Sequence, residues 1–248
     1  MHDVTQLASL PLAKLKAILP GDLARRAQMA AQAWRDGTAA WMEPANLPGP
    51  PVVWFDLEGD SRGLHAEVPI YLWGVAVEDG ASAPIIESLF ATFDPGGDRV
   101  AWDRFVVRAT QILETHPTAR WMHWDNYEPL WIDRYTERYG APEGFVPRMK
   151  TALFDLKRVL DRCVRLPLRS YSVKHVAPWM GFDWSNPEAG SEWSVAQYHR
   201  ARESRDPEER ERLLRAVAEY NADDLWAMRR IWMWLREHEP EGLAAKHR

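Results

Sequence analysis

The chain has 248 residues, 46% hydrophobic and 27% charged, the composition of an ordinary globular protein with room for one large domain or a domain plus an extension. Its net charge of −5 excludes a uniformly basic nucleic-acid binder, although acids can gather in one site and bases elsewhere. The single cysteine, Cys163, excludes an intrachain disulfide and a cysteine zinc cluster, and no apolar run approaches the roughly 18 residues of a membrane span.

Met1 to Leu10 lacks the basic-then-apolar order of a secretory signal, so no membrane association and a reducing, cytoplasmic setting are expected. Residues 1–45 read as a helical extension. Leu7, Leu10, Leu12, Leu15 and Ile18 recur at near-helical spacing, Pro20-Gly21 breaks the run, and Asp22 is placed to cap a longer Ala- and Arg-rich helix. The turn faintly resembles a degenerate helix-hairpin-helix, with only Gly21 of the usual paired glycines; packing on the main domain is the plainer role. Asn46 to Pro51 is a proline-rich linker, and the main domain is expected over 51–240.

Val52 to Phe55 is β-branched and aromatic, the composition of a central strand, and runs into Asp56-Leu57-Glu58-Gly59. Val68 to Glu78 and Ile85 to Phe93 are two further strands, joined through Asp60–Glu67 and Glu78–Pro84 into an antiparallel meander. A helix from about Arg99 to Thr115, a strand Arg120 to Trp124 and a helix Asn126 to Tyr139 follow. Ala152 to Asp155 is a short strand leading into a helix through Cys163. Ser170 to Trp179 reads as helical, 182–190 as loop and Ser191 to Ser204 as helical. Asp206-Pro207-Glu208-Glu209 starts a long final helix ending near His238, with an acid at the cap and proline in the first turn. The sum is an α/β fold, a mixed sheet flanked by helices.

Residues two apart on a strand share a side, so Asp56 and Glu58 project together from an apolar strand. Two adjacent buried carboxylates repel, and a divalent ion is the usual remedy. Glu128 lies just after the fourth strand, with Asp125 competing for the same role. Tyr220 and Asp224, four apart on the last helix, share a face and interrupt an apolar stripe; Asp223 points elsewhere, toward solvent. The alternative for Asp224 is a salt bridge to Arg229 or Arg230.

Asp-x-Glu on a first strand, Tyr-Glu after a later one and Tyr-x-x-x-Asp on a late helix resemble the three motifs of the DEDD exonucleases, in the tyrosine variant. Phe55–Gly59, His123–Glu128, Phe154–Leu156, Tyr171–Pro178 and Tyr220–Asp224 together resemble the RNase H-like domain at the C-terminus of predicted RecB-family nucleases. Two departures stand out: Glu128 replaces the usual Asp, and Trp124 stands where an Asn is usual.

The resemblance implies a ribonuclease H-like sheet of three antiparallel then parallel strands. It implies two Mg²⁺ or Mn²⁺ ions, with Asp56 bridging them, Glu58 and Asp224 on one and Glu128 on the other, and Tyr220 orienting the attacking water. It also implies 3′→5′ exonuclease activity on nucleic acid, single-stranded DNA being favoured and RNA remaining open. Alternatives are a catalytically inactive domain that binds nucleic acid or a partner protein, and an RNA-trimming exoribonuclease. Substrate contacts are expected at Leu57 through its backbone, at Tyr127, and at Ser172 and Lys174 within the basic run Arg165–His175. Asp155 is either a supporting acid or a helix cap. A RecB-like nuclease or helicase polypeptide is a candidate partner, and DNA repair the implied setting. The 14 Trp are expected in the core or half-buried, with base stacking by one or two as the sharper alternative.

Overall fold

A computed structural model describes residues 3–60 and 69–243. Most of the expected first connection, and Val68 at the start of the expected second strand, lie outside the described residues. The chain divides into two compact units, Met1–Leu47 with Lys157–Met180 and Ile231–Arg248, and Pro48–Leu156 with Gly181–Arg230.

The second unit is built on a five-stranded sheet. β2 (Val52–Gly59), β3 (Ile70–Glu78) and β4 (Ile85–Phe90) form the expected antiparallel meander; β5 (Arg120–His123) and β6 (Leu153–Asp155) add parallel to it, in the order β4-β3-β2-β5-β6. Parallel pairing of β2 and β5 requires a long crossover, supplied by α4 (Gly97–Thr115) packing on β3 and β4. α5 (Tyr127–Tyr139) and α9 (Ser191–Glu203) pack against β2. α6 (Phe145–Ala152) precedes β6 and was not legible in the sequence, because Gly144 and Pro147 punctuate it.

β2 shows why the site can exist. Val53, Phe55 and Leu57 enter the aromatic core, while Trp54, Asp56 and Glu58 take the opposite face. Phe55 stacks on Phe105 at 5.2 Å and meets the edge of Trp121 at 5.5 Å. Emptying that position with Phe55→Ala would cost roughly 3–5 kcal/mol. Trp54, Trp73, Trp102 and Trp121 are fully buried, as the core role predicted. On the other face Glu78 accepts from Trp54 Nε1 at 2.9 Å and from the fork of Arg229 at 2.8 and 2.9 Å. That pair anchors α10 (Pro207–His238) against β3. Asp206 caps α10 as expected, its carboxylate accepting from Glu208 N at 3.0 Å.

The first unit contains α1 (Val4–Ser9), α2 (Leu12–Lys16), α3 (Leu23–Asp36), β1 (Ala40–Trp41), β7 (Val164–Arg165) and α8 (Val173–Trp179); α7 (Leu156–Cys163) runs into it. The first 47 residues are more than an appendage here. β1 pairs with β7, Arg26 donates to Asp161 O at 2.9 Å, and Ala45 N donates to Glu239 Oε2 at 3.0 Å. Two-residue strands carry no periodicity, which hid β1 and β7 from the sequence. Asp22 stands at the head of α3 but makes no side-chain cap; its backbone is already helical and its carboxylate lies 4.0 Å from Arg26. Residues 170–172 precede α8 rather than belonging to it. Among the described residues no helix is long and apolar enough to cross a membrane.

Candidate metal centre

Three carboxylates converge in the second unit. Asp56 and Glu58 leave the same face of β2, Asp224 comes from α10, and one oxygen of each lies within 4.8 Å of the other two. Glu58 is 5% and Asp224 8% exposed. Like charges at that spacing repel by roughly 3.5 kcal/mol per pair at an effective dielectric constant of about 20. Neutral donors orient the group. Asn221 Nδ2 donates to Asp56 Oδ2 at 2.7 Å, and Trp184 Nε1 donates to Asp224 Oδ1 at 2.9 Å. Asp223 accepts from Ser185 N at 2.8 Å and Ser185 Oγ at 3.1 Å, so it pins the 182–190 loop rather than pointing freely to solvent. Arg229, a candidate partner for Asp224, is committed to Glu78.

Tyr220 is buried beside this trio. Burial first, then the charges of Asp224, Glu58 and Asp56, push its hydroxyl far above the ordinary tyrosine value. It therefore stays protonated, with an O–H to donate and lone pairs to accept, which suits orienting a water and argues against service as a base. Tyr127 is 40% exposed, but its hydroxyl packs over Gly59, where a Cβ would collide with it. Burial, with Asp56, Glu128 and Glu58 nearby, pushes that hydroxyl up to about 12. A register shift between Glu58 and Gly59 ends the regular pairing here, a common device for re-aiming side chains beside a site.

Glu128 stands outside the trio, in the first turn of α5, and is 2% exposed. Its Oε2 lies 3.4 Å from His123 Nδ1, and among the described residues neither atom has a hydrogen-bond partner of good geometry. Burial raises the Glu128 carboxyl above its ordinary value, His123 opposes this, and Asp155 adds to it. His123 and Asp155 are register partners across β5 and β6. Asp125 is exposed in a left-handed turn (φ 69°), its N–H donating to Asp155 Oδ1 at 3.3 Å.

The residues present fit hard divalent cations. All the donors are carboxylate oxygens, three of them crowded close enough to share a cation, and a fourth acid, Glu128, holds a buried oxygen without a hydrogen-bond partner among the described residues.

Of the expected substrate residues, Leu57 packs its side chain into the core, leaving its backbone between the two acids. Ser172 and Lys174 belong to the first unit. Ser172 Oγ is hydrogen-bonded to His175 Nδ1 at 2.7 Å, and the Tyr171 hydroxyl accepts from Leu166 N at 2.6 Å. The sequence reading missed Asn221, Trp184 and Asp60. Asp60 continues the Asp56–Glu58 alternation, is 5% exposed and meets His199 Nε2 at 3.0 Å, so the spacing alone could have flagged it.

A five-stranded mixed sheet whose central strand delivers clustered carboxylates defines a nuclease-type domain of the ribonuclease H architecture. The family model of the RNase H superfamily matches residues 53–236, and the chain belongs to that superfamily. Searches of curated proteins and of solved structures returned no match.

Proposed function

We propose that the domain is a metal-dependent 3′→5′ exonuclease of the tyrosine-variant DEDD kind, acting on nucleic acid with single-stranded DNA favoured. The observation that carries this reading is the meeting of Asp56, Glu58 and Asp224 from remote parts of the chain. Two Mg²⁺ or Mn²⁺ ions held there would polarise the scissile phosphodiester, activate a water and stabilise the leaving oxygen. Asp56, Glu58 and Asp224 would hold the ions directly; Glu128 rather than Asp125 would complete the set, because Glu128 is buried with an oxygen that lacks a hydrogen-bond partner among the described residues, whereas Asp125 is exposed. Tyr220 donates a hydrogen bond that aligns the attacking water. The Leu57 backbone and Tyr127 meet the terminal nucleotide. Lys174 and its basic neighbours draw the phosphate backbone toward the protein. The RecB-like association and a repair role belong to the same reading.

The test uses end-labelled single-stranded DNA and RNA with Mg²⁺ or Mn²⁺, comparing wild type with Asp56→Asn and Asp224→Asn. The expected result is stepwise shortening from the 3′ end, faster on DNA, lost in both variants and in chelator. Internal cleavage, or variants as active as wild type, would refute the assignment.

A further inference from the structure

We infer that Asn221 is a positioning residue for Asp56, working through a slot that Gly74 leaves open in the neighbouring strand. The inference rests on the divalent-ion reading of the carboxylate cluster and goes beyond it, because Asn221 belongs to no ligand set.

Three observations meet here. Asp56 and Gly74 are direct register partners across β2 and β3, so any side chain at 74 would stand beside Asp56 on the same face. Asn221, fully buried on α10, fills that place: a Cβ at Gly74 would collide with its Oδ1 and Cγ. Its Nδ2 donates to Asp56 Oδ2 at 2.7 Å, while Oδ1 has no hydrogen-bond partner among the described residues. The backbone of Gly74 is not left-handed, so the glycine serves space and not conformational freedom.

The chemistry of that arrangement is selective. A residue chosen only for packing would be apolar, since a buried amide with one end unsatisfied costs free energy. The reverse amide orientation would bring two acceptor oxygens together, so Asp56 fixes which end faces it. A Lys or Arg at 221 would neutralise Asp56 and compete with a cation; an Asp would add a fourth repelling charge. A neutral donor such as the Asn221 amide orients Asp56 through one oxygen without cancelling its negative charge. Hydrogen bonds of this sort to a ligating carboxylate are worth about 10–100-fold in metal affinity.

Two measurements on the full chain test this. The first is thermal melting of the metal-free protein in the cycle wild type, Gly74→Ala, Asn221→Ala and the double variant. Gly74→Ala should lower the melting temperature by several degrees in wild type and far less in the Asn221→Ala background, where the slot is empty. The second is Mn²⁺ titration by calorimetry and by electron paramagnetic resonance, with Asn221→Leu set against Val217→Ala, a core change on the same helix. Asn221→Leu should bind Mn²⁺ at least about tenfold more weakly with an altered spectrum, whereas Val217→Ala, at equal loss of melting temperature, should keep both. Additive melting losses, or Asn221→Leu matching Val217→Ala, would overturn the positioning role while wild-type Mn²⁺ binding left the metal reading standing. A wild type that binds no Mn²⁺ would overturn both.

Discussion

The acids of the second unit form two unlike groups. Asp56, Glu58 and Asp224 crowd within 4.8 Å of one another, with neutral donors from Asn221 and Trp184 holding two of them. Glu128 lies outside that trio, nearly sealed beside His123 and Asp155, with an oxygen that has no hydrogen-bond partner among the described residues. Crowded acids suffer from repulsion and an isolated buried acid from desolvation; the same divalent ions would relieve both. On the proposed reading the trio would decide whether metal binds, and Glu128, its carboxyl raised by burial, would add a pH-dependent contribution to the stability of the metal-free protein.

The largest effect should come from the trio. Asp56→Asn or Asp224→Asn should lower the kcat of the proposed exonuclease by roughly 10³-fold or more, since loss of a metal ligand would remove several kcal/mol of transition-state stabilisation. Gel assays with saturating Mn²⁺ would measure it. A smaller loss than that of Glu128→Gln would invert the proposed ranking.

Glu128→Gln should cost about 100-fold in activity, or about 2.7 kcal/mol, yet stabilise the metal-free protein. The sign follows from burial, which holds this carboxyl above its ordinary 4.5 in the folded state. Its favourable contribution to folding is complete below the ordinary value and is lost as pH rises through the raised one. Metal-free wild type should therefore melt lower as pH climbs across that window. Glu128→Gln should flatten the slope, and each kcal/mol recovered should appear as about 2–4 °C. An unchanged slope would show that Glu128 is not the group responsible.

Tyr220→Phe should reduce kcat by about 10–100-fold at nearly constant KM, the worth of one hydrogen bond to a charged reacting group. A rise confined to KM would place Tyr220 in substrate binding instead.

The smallest effect concerns the first unit, and a second contrast frames it. Of the 31 Lys and Arg and 36 Asp and Glu, 14 and 8 fall in the first unit, leaving 17 and 28 in the second. The overall charge of −5 thus hides a basic unit and an acidic one. Lys174→Ala should raise KM a few-fold and reduce the slope of binding against salt by about one, with kcat unchanged. Fluorescence anisotropy with labelled single-stranded DNA at several salt concentrations would read it.

Why some of this was legible in the sequence and some was not is a matter of distance along the chain. Asp56 and Glu58 declare themselves by the two-residue period of a strand, and Tyr220 and Asp224 by the four-residue period of a helix. The meander and the parallel strands separated by helices followed from the same periodicities. Asn221 could not be read that way. Its meaning depends on Gly74, almost 150 residues earlier, being opposite Asp56 in register. Trp184 sits in a stretch without periodicity, next to Ser185, which Asp223 holds, and its contact with Asp224 is visible only in the fold. The pairing of Ala40–Trp41 with Val164–Arg165 likewise joins segments too short to signal themselves.

The most direct test is calorimetric titration of Mn²⁺ into the metal-free wild-type chain and into Asp224→Asn under the same buffer. Saturable binding in wild type that weakens by at least about tenfold in the variant is the predicted result. Equal binding by the two, or no heat from wild type, would contradict the claim that these carboxylates are gathered to hold metal.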